Sequence, residues 1–165
     1  MTEETVLNET ETQVCQIGIV VKDLDRTIDY LSLIGLGPFT IRTVLHPAAT
    51  VRGKKVSYQV RVAKSQQGAL QLEIVEYQNG TTIHKEFLDK GIEGLHHIQF
   101  RVHDIDATLK KFAEKDIQVL QEDRFVGGGG MAYLATDEIG GVIIEVVQRP
   151  DKNYDPNKVM DYQSK

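Results

Sequence analysis

The sequence predicts an α+β fold made of two βαβββ modules, and three observations carry that prediction. QIGIVVKDLDRTIDYL (Gln16–Leu31) sets against HIQFRVHDIDATLKKF (His97–Phe112) without a gap, so that Ile17, Val21, Asp23, Asp25 and Thr27 recur as Ile98, Val102, Asp104, Asp106 and Thr108. GALQLEIVEY (Gly68–Tyr77) sets against GGVIIEVVQR (Gly140–Arg149), which places Glu73 on Glu145. In each half an alternating apolar stretch leads into one amphipathic helical stretch, and three further stretches with strand character follow.

The elements follow in order. Residues 1–13 are polar, acidic and aperiodic, and are expected to be flexible. From Cys15 to Lys22 the chain alternates, with Cys15, Ile17, Ile19 and Val21 on one face and Gln16, Gly18 and Val20 on the other, as in a strand packed on one side. Asp23 then caps a helix whose apolar positions Leu24, Ile28, Leu31 and Leu33 run to the break at Gly35–Pro38. Strands are expected over 39–43, 56–62 and 69–76, completing a first module over 14–78, with LHPAATVRGKK read as a loop. Thr81–Lys90 carries Ile83, Phe87 and Leu88 and ends at Gly91, which reads as a short connecting helix within 79–94. The second module, 95–148, repeats the strand and a helix started by Asp104, then continues with strands over 118–125, 131–134 and 142–147. A polar tail, 149–165, is again expected to be flexible.

Composition narrows the function. A chain of 165 residues with 41% hydrophobic residues fits one compact domain or two half-domains sharing a core. A net charge of −5 and the lack of a basic stripe argue against nucleic-acid binding. No apolar run approaches the roughly 20 residues of a membrane span, and the acidic N-terminus is unlike a signal peptide, so a cytoplasmic protein is expected. The single cysteine, Cys15, excludes an internal disulfide and reads as a buried structural thiol. Gly127–Gly130 lacks a following Lys-Ser or Lys-Thr and precedes the strand-like MAYLAT, so it reads as a turn and not a phosphate loop. Asp23, Asp25, Asp104 and Asp106 all fall at helix starts, where carboxylates cap N–H groups, and are not taken as metal ligands.

Each half therefore begins with Gln or His and ends with Glu. Strand alternation turns Gln16 away from Ile17 and Ile19, and Glu73 away from Leu72 and Ile74. Glu145 lies among Val142, Ile143, Ile144, Val146 and Val147, a run apolar on both faces and so covered on both. Taken singly, Glu73 reads as a solvent-facing strand residue, and Gln16 says less still. Together, two buried carboxylates need a partner, and a divalent cation completed by Gln16 and neutral His97 gives a site of zero net charge. His97 shares its face with Gln99 and Arg101, whereas alternation puts His96 on the other face as a structural residue.

KGIEGLHHIQFRVHDID (Lys90–Asp106) and GGVIIEVVQ (Gly140–Gln148) carry a family likeness. Over residues 14–148 the chain resembles the vicinal oxygen chelate superfamily (glyoxalase, bleomycin resistance, dioxygenase), and looks most like its methylmalonyl-CoA epimerases and glyoxalase I-like members. The resemblance implies curved mixed β-sheets around a metal-containing cavity. It places one divalent ion per chain on Gln16, Glu73, His97 and Glu145, and it implies a homodimer. A donor set without sulfur suits zinc, cobalt, nickel, manganese or iron, with zinc marginally ahead. The implied chemistry is proton abstraction beside a carbonyl through a metal-stabilised enolate, with Glu145 as general base and Glu73 available from the other side.

The chain departs from both models. Epimerases carry His at the position of Gln16, Gln at that of Glu73, and an additional acid/base Glu that aligns with Gln59. The quartet Gln, Glu, His, Glu resembles glyoxalase I of the animal type, yet the Arg and Asn that hold glutathione there align with Val20 and Tyr77, and a further Arg falls near Glu93. The expected function is an isomerase or epimerase acting on a small carbonyl or acyl-thioester compound. The alternative is a non-catalytic binding protein of the bleomycin-resistance type. A dioxygenase, which needs two histidines for iron, ranks lower because of Gln16. Arg101, Gln59 and Gln99, with Lys54, Lys55 and Arg52 of the loop, are the candidate substrate contacts, forming a positive mouth for an anionic ligand. Read plainly, the loop bases are solvated charge and Arg101 pairs with a nearby carboxylate.

Overall fold

A computed structural model describes residues 5–150. The elements run β1 (Val14–Val21), α1 (Leu24–Leu33), β2 (Thr40–Val51), β3 (Lys54–Gln67), β4 (Leu70–Gly80), α2 (Ile83–Asp89), β5 (Gly94–Arg101), α3 (Ile105–Ala113), β6 (Val119–Arg124), β7 (Gly130–Leu134) and β8 (Ile143–Gln148). The strands join in the order β1-β4-β3-β2-β6-β7-β8-β5 and close into one mixed barrel. β1 lies parallel to β4, and β5 to β8. The two halves meet at antiparallel seams, β1 with β5 and β2 with β6. Closure leaves no free strand edge among these elements.

The register carries the sequence repeat into space. Gln16 pairs with Gln71 on β4 and His97 with Ile143 on β8, so Glu73 and Glu145 stand two residues further along equivalent ladders. Side chains then alternate between the barrel interior and the helices outside. α1 covers Val21, Ala63 and Ile74 with buried Leu24 and part-buried Ile28 and Leu31. Leu33, expected on the same face, is 84% exposed because it falls off the three-and-four spacing of the other positions. α3 covers Val102, Ala132, Leu134 and Val146 with Ile105 and Phe112. Asp23 and Asp104 accept from Arg26 N and Ala107 N at 2.9 Å each, the N-caps expected of them.

α2 has a different task. Ile83 packs with Val51, Leu120, Tyr133, Ile143 and Val147, which come from β2, β6, β7 and β8. Phe87 and Leu88 pack on Val20, Tyr58, Val60 and Val75 of β1, β3 and β4. A helix whose side chains join clusters drawn from seven of the eight strands closes one end of the barrel.

Two expectations are corrected here. The stretch read as the loop LHPAATVRGKK is mostly strand: β2 continues to Val51, β3 begins at Lys54, and only Arg52 (φ 47°) and Gly53 (φ 76°) form the turn. Both turn residues have positive φ, as a type I′ two-residue hairpin requires. Pro47 hid this strand, because it lies where the β2–β3 register shifts between His46 and Ala49. The N-terminal segment is docked over part of its length: Val6 and Leu7 join the α3 core, and buried Glu11 accepts from His103 N at 3.1 Å. Residues 1–4 and the tail 151–165 lie outside the described residues. Among the described residues no helix is long and apolar enough to cross a membrane.

The helix starts give a direct test of the capping role. Asp104→Ala should lower stability by about 1 kcal/mol in urea unfolding and leave divalent metal content unchanged; a fall in metal content would make Asp104 a ligand after all.

Candidate metal centre and its cavity

The inward faces of β1, β4, β5 and β8 assemble the polar centre. Gly18 pairs with Glu73 on one side and with His97 on the other. The His97 ring lies over the bare Gly18 backbone, where an added Cβ would come within 1.9 Å of its Cε1. His97 Nε2 is 3.3 Å from an oxygen of Glu73 and 3.3 Å from an oxygen of Glu145, without the alignment of a hydrogen bond to either. Gln99 Nε2 donates to Glu145 Oε2 at 2.7 Å and to Gln16 Oε1 at 3.0 Å, and Gln16 Nε2 donates to Gln71 Oε1 at 2.7 Å. Glu73, His97 and Glu145 thus meet directly, and Gln16 joins them through Gln99.

The two carboxylates are not equivalent. Burial would raise Glu73, but Lys64, 2.8 Å away, and His97 outweigh it and hold the group well below the usual carboxylate range. Burial raises Glu145 against the pull of His97, and the charge of Glu73 adds to the rise. Burial acts to lower His97, but the two carboxylates carry it above its ordinary value. The donor chemistry, one imidazole, one amide and two carboxylates without sulfur, suits a divalent cation. A separation of 3.3 Å is the edge of a coordination shell with bonds of about 2.1 Å, and the unaligned, buried Nε2 faces two carboxylates of which one has no lysine partner.

Two histidines escaped the sequence reading. His96 was expected on the outer face, but Gly18 pairs with His97 while Ile19 pairs with Leu95, so His96 is the extra residue of a bulge. Both imidazoles are buried, with Nδ1 atoms 3.0 Å apart. His84 arrives from α2, and donor atoms of His84, His96 and His97 lie within 4.8 Å of one another, a buried triad that offers a second donor set for a metal through the shared His97. The tautomer of His84 follows from its neighbours. Thr82 Oγ1 donates to Gln121 Oε1 at 3.0 Å and therefore accepts from His84 Nδ1–H at 3.0 Å. Nε2 is left as an unpartnered lone pair. Burial and the neighbouring His97 push His84 down to about 3, and burial with His84 and His97 pushes His96 lower still. The available signal was Thr82–Ile83–His84, a capping residue followed by an apolar one at the start of a short helix.

A cavity of about 780 Å³ opens over this centre, lined by Glu73, Glu145, Gln99 and His84, and by His46 and Tyr58. Its cationic lining is Arg42, Lys64 and Arg149. The proposed substrate contacts are therefore corrected. Of the expected set only Gln99 lines the cavity. β3 turns Tyr58, Val60, Val62 and Lys64 inward, so Gln59 points out and accepts from Asn79 at 3.1 Å. Lys54 and Lys55 are exposed at the start of β3, Arg101 is exposed at the end of β5, and Arg52 pairs with Glu86 at 2.8 Å.

Residues 15–134 match the Glyoxalase/Bleomycin resistance protein/Dioxygenase superfamily, and the chain belongs to that superfamily. It is 28% identical over 129 residues to the uncharacterized protein YqjC of Bacillus subtilis (strain 168), covering 72% of this chain and 91% of YqjC. The fold is similar to that of methylmalonyl-CoA epimerase from Mycobacterium tuberculosis, with a TM-score of 0.62, 21% identity, and 93% and 96% of the two chains covered. It is also similar to a variant of the Streptomyces coelicolor methylmalonyl-CoA epimerase in complex with 2-nitronate-propionyl-CoA, with a TM-score of 0.60, 26% identity, and 88% and 99% covered.

Two outcomes are expected. Gly18→Ala should displace the enclosed His97 ring, lowering stability by roughly 1–3 kcal/mol and reducing metal content together; urea unfolding and elemental analysis read both. Acid should also weaken the fold. His84 and His96 are depressed in the native state, so as pH falls below about 6.5 the unfolded chain binds protons that the native chain does not. Stability then falls by at most about 1.4 kcal/mol per pH unit for each histidine. His97, raised in the native state, opposes this loss only near the top of the window, where the unfolded imidazole is still partly neutral, and Glu145 acts in the same opposing sense nearer the carboxylate range. Unfolding midpoints between pH 6.5 and 5 should drop in the wild type and drop about half as steeply in His84→Asn; equal slopes would remove the neutral His84.

Proposed function

We propose that this chain is a metal-dependent epimerase or isomerase that moves a proton on the carbon beside the carbonyl of a small acyl thioester. The observation that carries the reading is the pair Glu73 and Glu145, each 3.3 Å from His97 Nε2, with proton affinities driven in opposite directions. Two carboxyl groups separated in this way divide into a charged ligand and a base. Glu73, held ionised by Lys64, contributes fixed negative charge. Glu145, raised by burial, is the better proton acceptor and is the general base.

Gln16, Glu73, His97 and Glu145 are the residues proposed to hold the metal. A divalent ion held there supplies a Lewis acid for the carbonyl and for the enolate left when the C–H proton departs. The chain's own residues do the rest. Gln99 fixes one oxygen of Glu145, leaving the other to meet the substrate. Arg42 and Arg149 give the cavity the cationic groups that an anionic thioester or carboxylate requires. Likeness to epimerases whose names specify methylmalonyl-CoA supports the thioester class.

Metal and proton transfer are separately measurable. His97→Ala should lower bound divalent metal by about 10-fold or more, by elemental analysis of freshly purified protein. Full metal retention in both His97→Ala and Glu145→Ala would sink the ligand assignment. Glu145→Gln should lose roughly 100-fold or more in deuterium exchange at C2 of methylmalonyl-CoA while remaining folded; exchange at the wild-type rate would move the base elsewhere.

A further inference from the structure

Epimerisation needs a proton taken from one side of a carbon and returned to the other, and the carboxylates of Glu73 and Glu145 both converge on His97 Nε2, at 3.3 Å each. In the closed strand order β2 stands four places from β5 in either direction, and β3 four places from β8. The strand facing β8, which carries Glu145, is therefore β3, and β2 lies beside it. Three residues at and behind these two strands form a unit. His46 on β2 lines the cavity and stacks on Tyr58 of β3, with ring centroids 4.4 Å apart and planes within 10°. Behind it, Asp123 of β6 places Oδ2 2.5 Å from His46 Nδ1, and Asp123 itself does not line the cavity. Both side chains are nearly enclosed, at 14% and 13% exposed.

This arrangement has the logic of an oriented acid/base. Asp123 receives the Nδ1–H and fixes the tautomer, so Nε2 is the nitrogen left to exchange a proton. Among the described residues Asp123 is the only hydrogen-bond partner of the ring. Tyr58 is in turn held by Gln121, whose Nε2 donates to Tyr58 Oη at 3.0 Å and whose Oε1 accepts from Ile83 N at 3.0 Å, so the ring's stacking partner is fixed to the plug helix.

We propose that His46 is the second acid/base of this cavity, returning a proton to the substrate carbon from the side of β2 and β3, with Asp123 as its positioning residue. The proposal rests on the epimerase reading above. The step is redox-neutral. Glu145 takes the proton as the C–H electron pair moves into the enolate; the enolate carbon then forms a bond to the proton of His46 Nε2–H, leaving the imidazole neutral. Glu145 releases its proton to solvent and His46 regains one. The plain alternative is a clasp: β2 and β6 pair only at Thr50–Glu122 and Val51–Gln121, and His46–Asp123 extends that short seam.

The test compares two rates on methylmalonyl-CoA in deuterated water with the metal-loaded protein: exchange at C2 with retention, and inversion. His46→Asn and Asp123→Ala should each lose inversion by about 100-fold while exchange with retention stays within about threefold of wild type, because Glu145 remains. Glu145→Gln should lose both. A clasp predicts that the two rates fall together with the melting temperature, and that result, or inversion at the wild-type rate in His46→Asn, overturns the proposal. Exchange without inversion in the wild type also overturns it while leaving enolate formation in place. A wild-type protein that exchanges nothing overturns the epimerase reading and the second acid/base with it.

Discussion

A closed barrel has a single interior, and here that interior contains charge that bulk water scarcely reaches. Glu73, His97 and Glu145 sit within 3.3 Å contacts under the wall of β1, β4, β5 and β8. Isolated carboxylates in such a place are costly, so every neighbouring choice serves to offset them. Lys64 answers Glu73 across the β3–β4 ladder. Gln99 and Gln16 supply amides that adapt to either sign. The glycine beneath His97 gives the ring its seat, and α2 shuts the end that would otherwise admit solvent.

The fold was legible where local pattern and tertiary role agree. Asp23 and Asp104 announced their helices because an N-cap is a local device, and Glu73 and Glu145 announced themselves because duplication put one residue type twice on equivalent strands. What was lost depended on contacts far apart in sequence. The bulge at His96 is imposed by pairing with β1, so simple alternation sent that side chain to the wrong face. Pro47 broke the pattern of a long strand whose partners make it continuous. The cationic residues of the cavity are Arg42 on a strand that was expected, Lys64 on β3 and Arg149 just past β8, whereas the lysines that drew notice belong to an exposed hairpin.

α2 was the element most underestimated. As sequence it is a few apolar residues between two modules, and a connector is the natural reading. In the barrel it is a stopper, and its first turn brings in Ile83 among β-strand side chains and His84 beside His97. The Thr82–Gln121–Tyr58 chain of hydrogen bonds ties that turn to β6 and β3, so the geometry of the polar centre depends on a segment that no periodicity argument would rank highly.

A tube stoppered at one end measures what enters it. Among the described residues the cavity lining runs from Thr40, Arg42, Gln66 and Arg149 to Glu145. A bulky or highly charged portion of a ligand stays at the rim, and only the slender portion reaches the floor. On the proposed function, depth acts as a ruler: the barrel would read the distance between a ligand's anionic handle and its reactive carbon, and discriminate on length before any chemistry begins.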